Sequence, residues 1–274
     1  MPTDGSSILI LAAALLATGL AAGLLAGLLG IGGGIVVVPV LFYIFSLFGF
    51  DASVAMHMAV GTSLAAMVPT SLMSARSHYQ RGAVDMALFR RWAPAVVVGV
   101  VIGTLIAGAV RGQVLTAIFG IVSLAVAINM VTRGEGTPIW PQLPKGWLLQ
   151  LIATVIGLLS ALMGIGGGML SVPVMSACSY PIRQAVATAA ATGTLIALPG
   201  AIGFILAGVD DPGRPPFSLG FVNLIGFALI VPVTMLAAPW GARIAHTINP
   251  KWLRLTFVLF LFVTGGRMLW RAFG

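Results

Sequence analysis

The chain has 274 residues, of which 59% are hydrophobic and only 7% are charged, and its mean hydropathy is +1.10. A soluble globular domain cannot have this composition, because too few polar side chains would remain to cover its surface. The net charge of +8 would suggest nucleic-acid binding in a soluble protein, but in a membrane protein it is typical of basic residues retained in cytoplasmic loops. We therefore predict an all-α polytopic protein that lies in a lipid bilayer, and we exclude nucleic acid as a partner.

Five apolar segments follow one another in the first half of the chain and are predicted to be helices. The first begins after MPTDGSS, which has no lysine or arginine, so we interpret it as a spanning helix and not as a cleaved signal peptide. The five segments cover residues 8–29, 33–48, 54–75, 88–110 and 113–131.

The second half repeats this plan. The string GIGGG occurs at 30–34 and again at 164–168, an offset of 134, and Gly103 matches Gly241 at an offset of 138. Offsets that drift by only a few residues indicate one duplicated unit with small loop differences. We predict a first repeat over 1–134, a connecting loop over 135–146 and a second repeat over 147–274. Its apolar segments cover residues 148–164, 167–179, 184–208, 219–241 and 252–270.

An odd number of segments in each unit predicts that the two units have opposite orientations in the membrane. This inverted-topology arrangement is common in secondary transporters. If the N-terminus lies outside, the inner side receives 10 basic residues and the outer side 4, which places both termini outside. The second segment of each unit is short, so the first two segments either both span or form a re-entrant hairpin. The inner residues are Arg76, Arg81, Arg90, Arg91, Arg133, Lys145, Arg183, Arg243, Lys251 and Arg254; the outer ones are Arg111, Arg214, Arg267 and Arg271.

The two glycine strings each predict a broken helix, since glycine costs roughly 1 kcal/mol against alanine at a helical position. One interpretation is close helix packing, which we expect at Gly99 and Gly103. The other is an anion site. Helices that start near Ile35 and Met169 would direct unpaired N–H groups and positive dipole ends at the breaks, and inverted breaks would meet at the midplane.

Hydroxyl groups occur within the third segment of each half, where they could donate to an oxyanion or bond to their own helix carbonyls. They belong to Thr62, Ser63, Thr192 and Thr194. All six acidic residues lie in loops or at segment ends. No carboxylate is therefore available within the membrane to bind a cation, and we do not predict a cation pump.

Two further residues each have two interpretations. His57 lies one turn into the third segment. It is either a structural hydrogen-bond donor or a group that couples transport to protons. Arg267 either extends to the interface beside Trp270 or attracts anions. The tryptophans near segment ends, including Trp92, are expected in the interfacial belts.

No nucleophile, base and carboxylate cluster lies within the apolar segments, so we do not predict an enzyme. We also predict no metal site and no cofactor, because the sequence has a single cysteine, Cys178, and no grouping of cysteine and histidine residues.

The motifs GIGGGIVVVP and GIGGGMLSVP, with GTSL after the first and RGAVD before the fourth segment, resemble the sulfite exporter TauE/SafE family over the whole chain. The resemblance implies a multi-pass transporter of the bacterial cytoplasmic membrane that exports sulfite, thiosulfate or organosulfonates. Protons as coupling ions and a homodimer remain open. By position, the family's broken segments correspond to Gly30, Gly32, Gly33, Gly34 and Pro39, and to Gly164, Gly166, Gly167, Gly168 and Pro173.

The two halves differ at the positions that would line a symmetric site. GTS at 61–63 becomes ATG at 191–193, and Asp85 becomes Asn223. Two other functions remain as alternatives to a carrier: a passive anion channel, and a non-transporting membrane subunit that supports sulfur metabolism.

Overall fold

The computed structural model describes residues 5–29, 33–132, 140–245 and 250–274, and these form ten α-helices and one pair of very short strands. The prediction of an all-α polytopic membrane protein is confirmed. Helix bounds agree with the predicted segments to within a few residues at most ends, because hydropathy and helix breakers are local signals. The helices are α1 (Gly5–Leu29), α2 (Gly34–Leu47), α3 (Ala52–Gln80), α4 (Met86–Ala109), α5 (Gly112–Thr132), α6 (Trp147–Met163), α7 (Gly168–Ala177), α8 (Ile182–Ala207), α9 (Leu224–Ala245) and α10 (Pro250–Phe273).

Helix length separates two classes of element. Five helices in the described ranges are long and apolar enough to cross a bilayer: α3, α4, α5, α8 and α10. In contrast, α2 has 14 residues and α7 has 10, which correspond to about 21 and 15 Å of helix against a hydrocarbon core of about 30 Å. Helix α7 is therefore too short to cross the membrane, and it begins inside the protein.

The ninth predicted segment begins later than expected. The expectation of helix from residue 219 is wrong, because Ser218–Leu219 (β1) and Val222–Asn223 (β2) form an antiparallel pair. Gly220 turns the chain between them with φ +55°, and the Phe221 N–H bonds the Phe204 carbonyl at the end of α8. Helix α9 starts only where the Asn223 side chain accepts a hydrogen bond from Gly226 N, at 2.7 Å.

In two large interfaces, a helix of one half packs on a non-equivalent helix of the other half; we call these the exchanged interfaces. Helix α1 of the first half packs on α9 of the second, and α6 of the second packs on α4 of the first. Helices α3 and α8 pack on each other, as do α5 and α10, so each of these pairs joins equivalent helices of the two halves.

Glycine contacts in the two exchanged interfaces match residue by residue. A Cβ added to Gly157 would lie 2.2 Å from the Val96 carbonyl oxygen, and one added to Gly23 would lie 2.7 Å from that of Thr234. These partners are related by the offsets of 134 and 138 found in the sequence. The same offsets relate Gly103, which faces the Leu158 carbonyl, to Gly241, which faces that of Leu24.

Close packing is therefore the role of Gly99 and Gly103, as expected: a Cβ on Gly99 would lie 2.0 Å from the Thr154 carbonyl oxygen. The predicted connecting loop over 135–146 lies outside the described residues as far as 139. At Trp140 the loop contacts the end of α7, since Trp140 N–H donates to the Ala177 carbonyl at 3.2 Å.

Candidate functional site

The second glycine string interrupts the chain inside the protein. Helix α6 ends at Met163, and the next residue, Gly164, has a φ of +66°, a left-handed conformation that favours glycine. Its N–H bonds the Ala161 carbonyl, and Ile165 N–H bonds that of Ser160. Residues 164–169 are all buried, and α7 begins at Gly168 with no side chain capping it at Gly167. A buried helix start without a cap leaves N–H groups in need of a partner.

The start of α2 meets this break. A Cβ added to Gly34 would lie 2.5 Å from the Gly164 carbonyl oxygen and 3.0 Å from Ile165 Cα. From α3, the Ser63 hydroxyl donates to the same Gly164 carbonyl at 2.7 Å. The α2 start and the second break are therefore in backbone contact, and Ser63 holds the end of α6 from the opposite half. Gly30 and Gly32 lie outside the described residues.

Helix α8 forms the other wall. A Cβ on Gly167 would lie 3.3 Å from both the Ala189 carbonyl oxygen and Thr192 Cγ2. A Cβ on Gly193 would lie 4.0 Å from Gly167 N and 3.6 Å from Ser71 Cβ. The start of α7 is thus enclosed by the middle of α8, with Ser71 of α3 close to it.

Three of the four predicted hydroxyl groups are engaged by the protein. Ser63 bonds Gly164, as above. Thr62 accepts a hydrogen bond from Asn223 N at 2.9 Å, which ties α3 to the start of α9. Thr192 donates to the Thr188 carbonyl at 2.8 Å, the own-helix bond considered from sequence, and also accepts from the Trp92 indole at 3.2 Å.

Thr194 differs from the other three. Its hydroxyl is buried and finds no hydrogen-bond partner in the part of the chain that the structure describes. Ser160 and Ser171 share this property; Ser160 lies four residues before Gly164, and Ser171 lies three residues after Gly168. Sequence analysis missed both serines, although a hydroxyl within one turn of a broken helix end is a signal that could have identified them.

The break carries no ionic side chain. Among the buried polar residues that the structure describes, the only titratable one is His57, and the others are threonine, serine and asparagine. An anion at the break would be stabilised by hydroxyl groups, backbone N–H groups and the α7 dipole. A cation would lack a carboxylate there.

Neither of the two basic candidates, His57 and Arg267, belongs to the glycine break. His57 is on α3, six residues before Ser63 and near the Ala107 end of α4. The Arg267 guanidinium lies over the Tyr43 ring, with its central carbon 4.9 Å from the ring centroid, and its side chain is exposed. This cation–π contact joins α10 to α2.

The prediction that Trp92 lies in an interfacial belt is wrong. Its side chain is fully buried, and its indole N–H bonds Thr192 of the other half. The exposed Trp140, Trp147, Trp252 and Trp270 fit the interfacial belts better.

On the predicted inner side, Asp85 joins the two halves. Its carboxylate caps α4 by accepting from Ala87 and Leu88 N–H groups, and its own N–H donates to Thr188 of α8 at 3.1 Å. The carboxylate also accepts a hydrogen bond from the Tyr180 hydroxyl. This bond, and next the Leu88 N–H, hold the pKa of Asp85 below its usual range. Burial, and then the bond to Asp85, raise the pKa of Tyr180.

We expect the contact between Asp85 and Tyr180 to make the stability of the protein depend on pH in the acidic range. A carboxyl group whose pKa is lower in the folded than in the unfolded protein stabilises the fold at any pH above its pKa in the unfolded protein. This contribution is lost as the pH falls through its pKa in the folded protein. Asp85→Asn should lower the melting temperature at neutral pH by roughly 2–4 °C, as expected for about 1 kcal/mol in a chain of this size. Its melting temperature should then fall less steeply than that of the wild type from about pH 5 to about pH 3.

Thermal unfolding of the purified protein in detergent measures this. Tyr180→Phe removes the hydroxyl alone and should reproduce most of the change, whereas Asp210→Asn, in an exposed loop, should behave as the wild type. Parallel pH profiles for wild type and Asp85→Asn would contradict the assignment.

Comparisons with known proteins agree with the membrane architecture. The sequence pattern of the family described as "Sulfite exporter TauE/SafE" matches residues 15–268. A "Probable membrane transporter protein" of Haemophilus influenzae is 32% identical over 239 residues, 87% of this chain and 90% of the relative. One from Methanocaldococcus jannaschii is 30% identical over 269 residues, 95% and 96% of the two chains. No solved structure gives a significant match.

Proposed function

The chain belongs to the sulfite exporter TauE/SafE family of membrane transporters, and from this premise we propose that it is a secondary carrier that exports a small sulfur-containing anion. The substrate class is sulfite, thiosulfate or an organosulfonate. The mechanism is alternating access of two inverted repeats, 1–134 and 147–274, about a site at the second glycine break. The setting is the bacterial cytoplasmic membrane, with both termini outside.

The observation that carries this proposal is the uncapped, buried start of α7, together with hydroxyl groups on α6, α7 and α8 that have no partner among the described residues. Residues 164–169 are buried, and Ser160, Ser171 and Thr194 have hydroxyl groups without a partner among the described residues. Leaving such donors unsatisfied in the interior costs roughly 1–3 kcal/mol each, so a polar ligand that accepts from them would recover this energy. The oxygens of a sulfur oxyanion accept hydrogen bonds and carry the negative charge that a helix start favours.

Rejection of other solutes follows from the same groups. No carboxylate is buried in the described part of the chain, so a metal cation would gain little at the break. No lysine or arginine is buried among the described residues either, so the anion is held by hydrogen bonds of moderate strength. Moderate binding suits a carrier, which must release its substrate on the other side.

The exchanged helix pairs support alternating access. The interfaces α1–α9 and α4–α6 use matching glycines and matching carbonyls, as two copies of one unit related by a pseudo-two-fold axis would do. With α1–α2 and α6–α7 as re-entrant hairpins, each half makes three further crossings, and this odd number gives the two halves opposite orientations. The start of α2, the second break, α3 and α8 then form the region that both repeats share.

Transport into proteoliposomes tests the proposal. Purified protein is reconstituted and the uptake of labelled sulfite, thiosulfate and methanesulfonate is measured against empty liposomes. We expect saturable uptake of one anion class and trans-stimulation by the same anion inside. Saturation without trans-stimulation would favour a channel, and no flux from folded protein would overturn transport of these anions and favour the scaffolding alternative.

Replacing Thr194 with valine tests the site. Valine matches threonine in shape but lacks the hydroxyl, and that hydroxyl bonds nothing in the described protein. We expect KM for the transported anion to rise about tenfold, the effect of losing one hydrogen bond to a charged group, with no loss of thermal stability.

Thr62→Val is the matched control, because the Thr62 hydroxyl accepts the Asn223 N–H bond. Its loss leaves a buried N–H unsatisfied and should lower the melting temperature instead. An unchanged KM in Thr194→Val, together with an unchanged melting temperature, would remove this hydroxyl from the site.

A further inference from the structure

Both ring nitrogens of His57 lie within hydrogen-bond distance of a carbonyl oxygen. Its Nδ1 lies 2.7 Å from the Ser53 carbonyl oxygen and its Nε2 lies 2.8 Å from that of Ala107. A carbonyl oxygen only accepts hydrogen bonds, whereas a neutral imidazole has a single N–H group. Both bonds therefore form only in the imidazolium, and loss of a proton must break one of them.

The Ala107 carbonyl lies in the last turn of α4, where carbonyl groups lack partners within the helix. The neighbouring Ile106 carbonyl is satisfied by Val110 N–H. The bond from Nε2 caps the next carbonyl from another helix, at the negative end of the α4 dipole, where a cation is favoured. Protonated His57 thus ties α3 to the end of α4.

His57 lines a cavity of about 180 Å³ near the predicted outer ends of α4 and α8. Its charged lining residues are Arg111, which follows α4, and Asp211, which follows α8. Two aromatic rings also lie near the imidazole: the Phe221 ring at 4.9 Å and the Phe204 ring at 6.5 Å, measured between ring centroids.

The cavity gives water and protons a route to this otherwise buried side chain. Arg111 opposes the charge of the imidazolium and Asp211 favours it. The exposed Asp51, at the start of α3, has its carboxylate engaged by Ser53 N and Oγ.

Helix α3 links His57 to the candidate site. Ser63, which bonds the Gly164 carbonyl at the break, follows His57 by six residues, or about 9 Å along the helix. Movement of the outer end of α3 against α4 would therefore also move Ser63 against the second break.

We propose that His57 is the proton-binding residue of the transport cycle, loaded from the outer cavity. On deprotonation the imidazolium gives one proton to cavity water, keeps a single N–H, and releases one of its two carbonyls. The α3–α4 contact weakens, and the break can rearrange. This inference rests on the proposed carrier function and adds the proton as its coupling ion.

Hydrogen exchange tests the proton site without any substrate. Amide exchange is measured in liposomes at pH 5.5 and 8.5, corrected for the intrinsic rate, over a peptide that covers 105–112. In the wild type we expect protection to fall about tenfold at the higher pH, the factor for roughly one net hydrogen bond. In H57Q it should be low at both values, and in H57R, which stays charged, it should be high at both.

H78Q is the matched control, since His78 lies at the other end of the same helix, and it should follow the wild type. Wild-type protection that does not change with pH would overturn the proposal, and so would H57Q that changes as the wild type does. The pH response of the wild type decides the question even if a variant does not fold.

Transport then separates the two proposals. The ratio of sulfite or methanesulfonate accumulation with and without an imposed pH gradient should exceed one in the wild type and fall to about one in H57Q. Wild-type transport that ignores the gradient would overturn proton coupling and leave the carrier standing. No wild-type flux of any tested anion would overturn the carrier, while hydrogen exchange would still decide whether His57 is a proton-controlled link.

Discussion

Replacing Gly34 with valine is expected to lower the rate of transport about tenfold or more. A Cβ at this position would lie 2.5 Å from the Gly164 carbonyl oxygen and 3.0 Å from Ile165 Cα, so the backbone contact between α2 and the second break cannot form. Overpacking of roughly 1–3 kcal/mol imposed on one conformation of the cycle corresponds to a loss of transport of about tenfold or more. The measurement is the initial rate of uptake of whichever anion the wild type carries.

Gly266→Val provides the matched control, because a Cβ on Gly266 of α10 would meet nothing within 4 Å. Both variants should be inserted and purified as monodisperse protein, since Gly34 lies outside the two large interfaces α1–α9 and α4–α6. Wild-type flux through Gly34→Val would show that the contact between α2 and the break has no part in transport.

Replacing Gly99 with alanine is expected to destabilise the fold itself. The added Cβ would lie 2.0 Å from the Thr154 carbonyl oxygen and 3.0 Å from Leu158 N, and both belong to the backbone of α6. Since neither helix can yield without separating from the other, we expect a cost at the upper end of roughly 1–3 kcal/mol. Thermal unfolding in detergent should show this as a clear drop in melting temperature.

The repeat supplies an independent test of the same effect. Gly241→Ala acts in the α1–α9 interface, where its Cβ would lie 2.1 Å from the Leu24 carbonyl oxygen, and should destabilise to a similar extent. Gly266→Ala should leave the melting temperature unchanged. If alanine at Gly99 and at Gly241 also leaves it unchanged, the helices pack less closely than the structure has them.

These expectations separate two roles of glycine that look alike in sequence. Gly99 brings the backbones of α4 and α6 together, and Gly241 does the same for α9 and α1. Gly34, at the start of α2, instead meets Gly164, at the end of α6. Close packing is therefore the role of Gly99 and Gly241, whereas the anion site at the second glycine string stays a proposal.

The sequence by itself determined the membrane class, ten helical segments and the recurrence of the glycine string. These are local properties: hydropathy sums over about 20 neighbouring residues, and glycine weakens a helix wherever it stands. It also indicated Thr194 as a candidate ligand, but only as one of four equivalent hydroxyl groups. It gave no warning that residues 218–223 form a strand pair before α9.

Only the tertiary structure decided which of these groups are free and which helices meet. Ser63 bonds a carbonyl 101 residues away and Trp92 a hydroxyl 100 residues away, so neither partner can be deduced from neighbouring residues. The same packing leaves Ser160, Ser171 and Thr194 without partners in the described chain. It also gives His57 two carbonyls, one from its own helix and one from α4. Hydrogen-bond partners and burial depend on how distant segments pack, and that packing is a property of the whole chain.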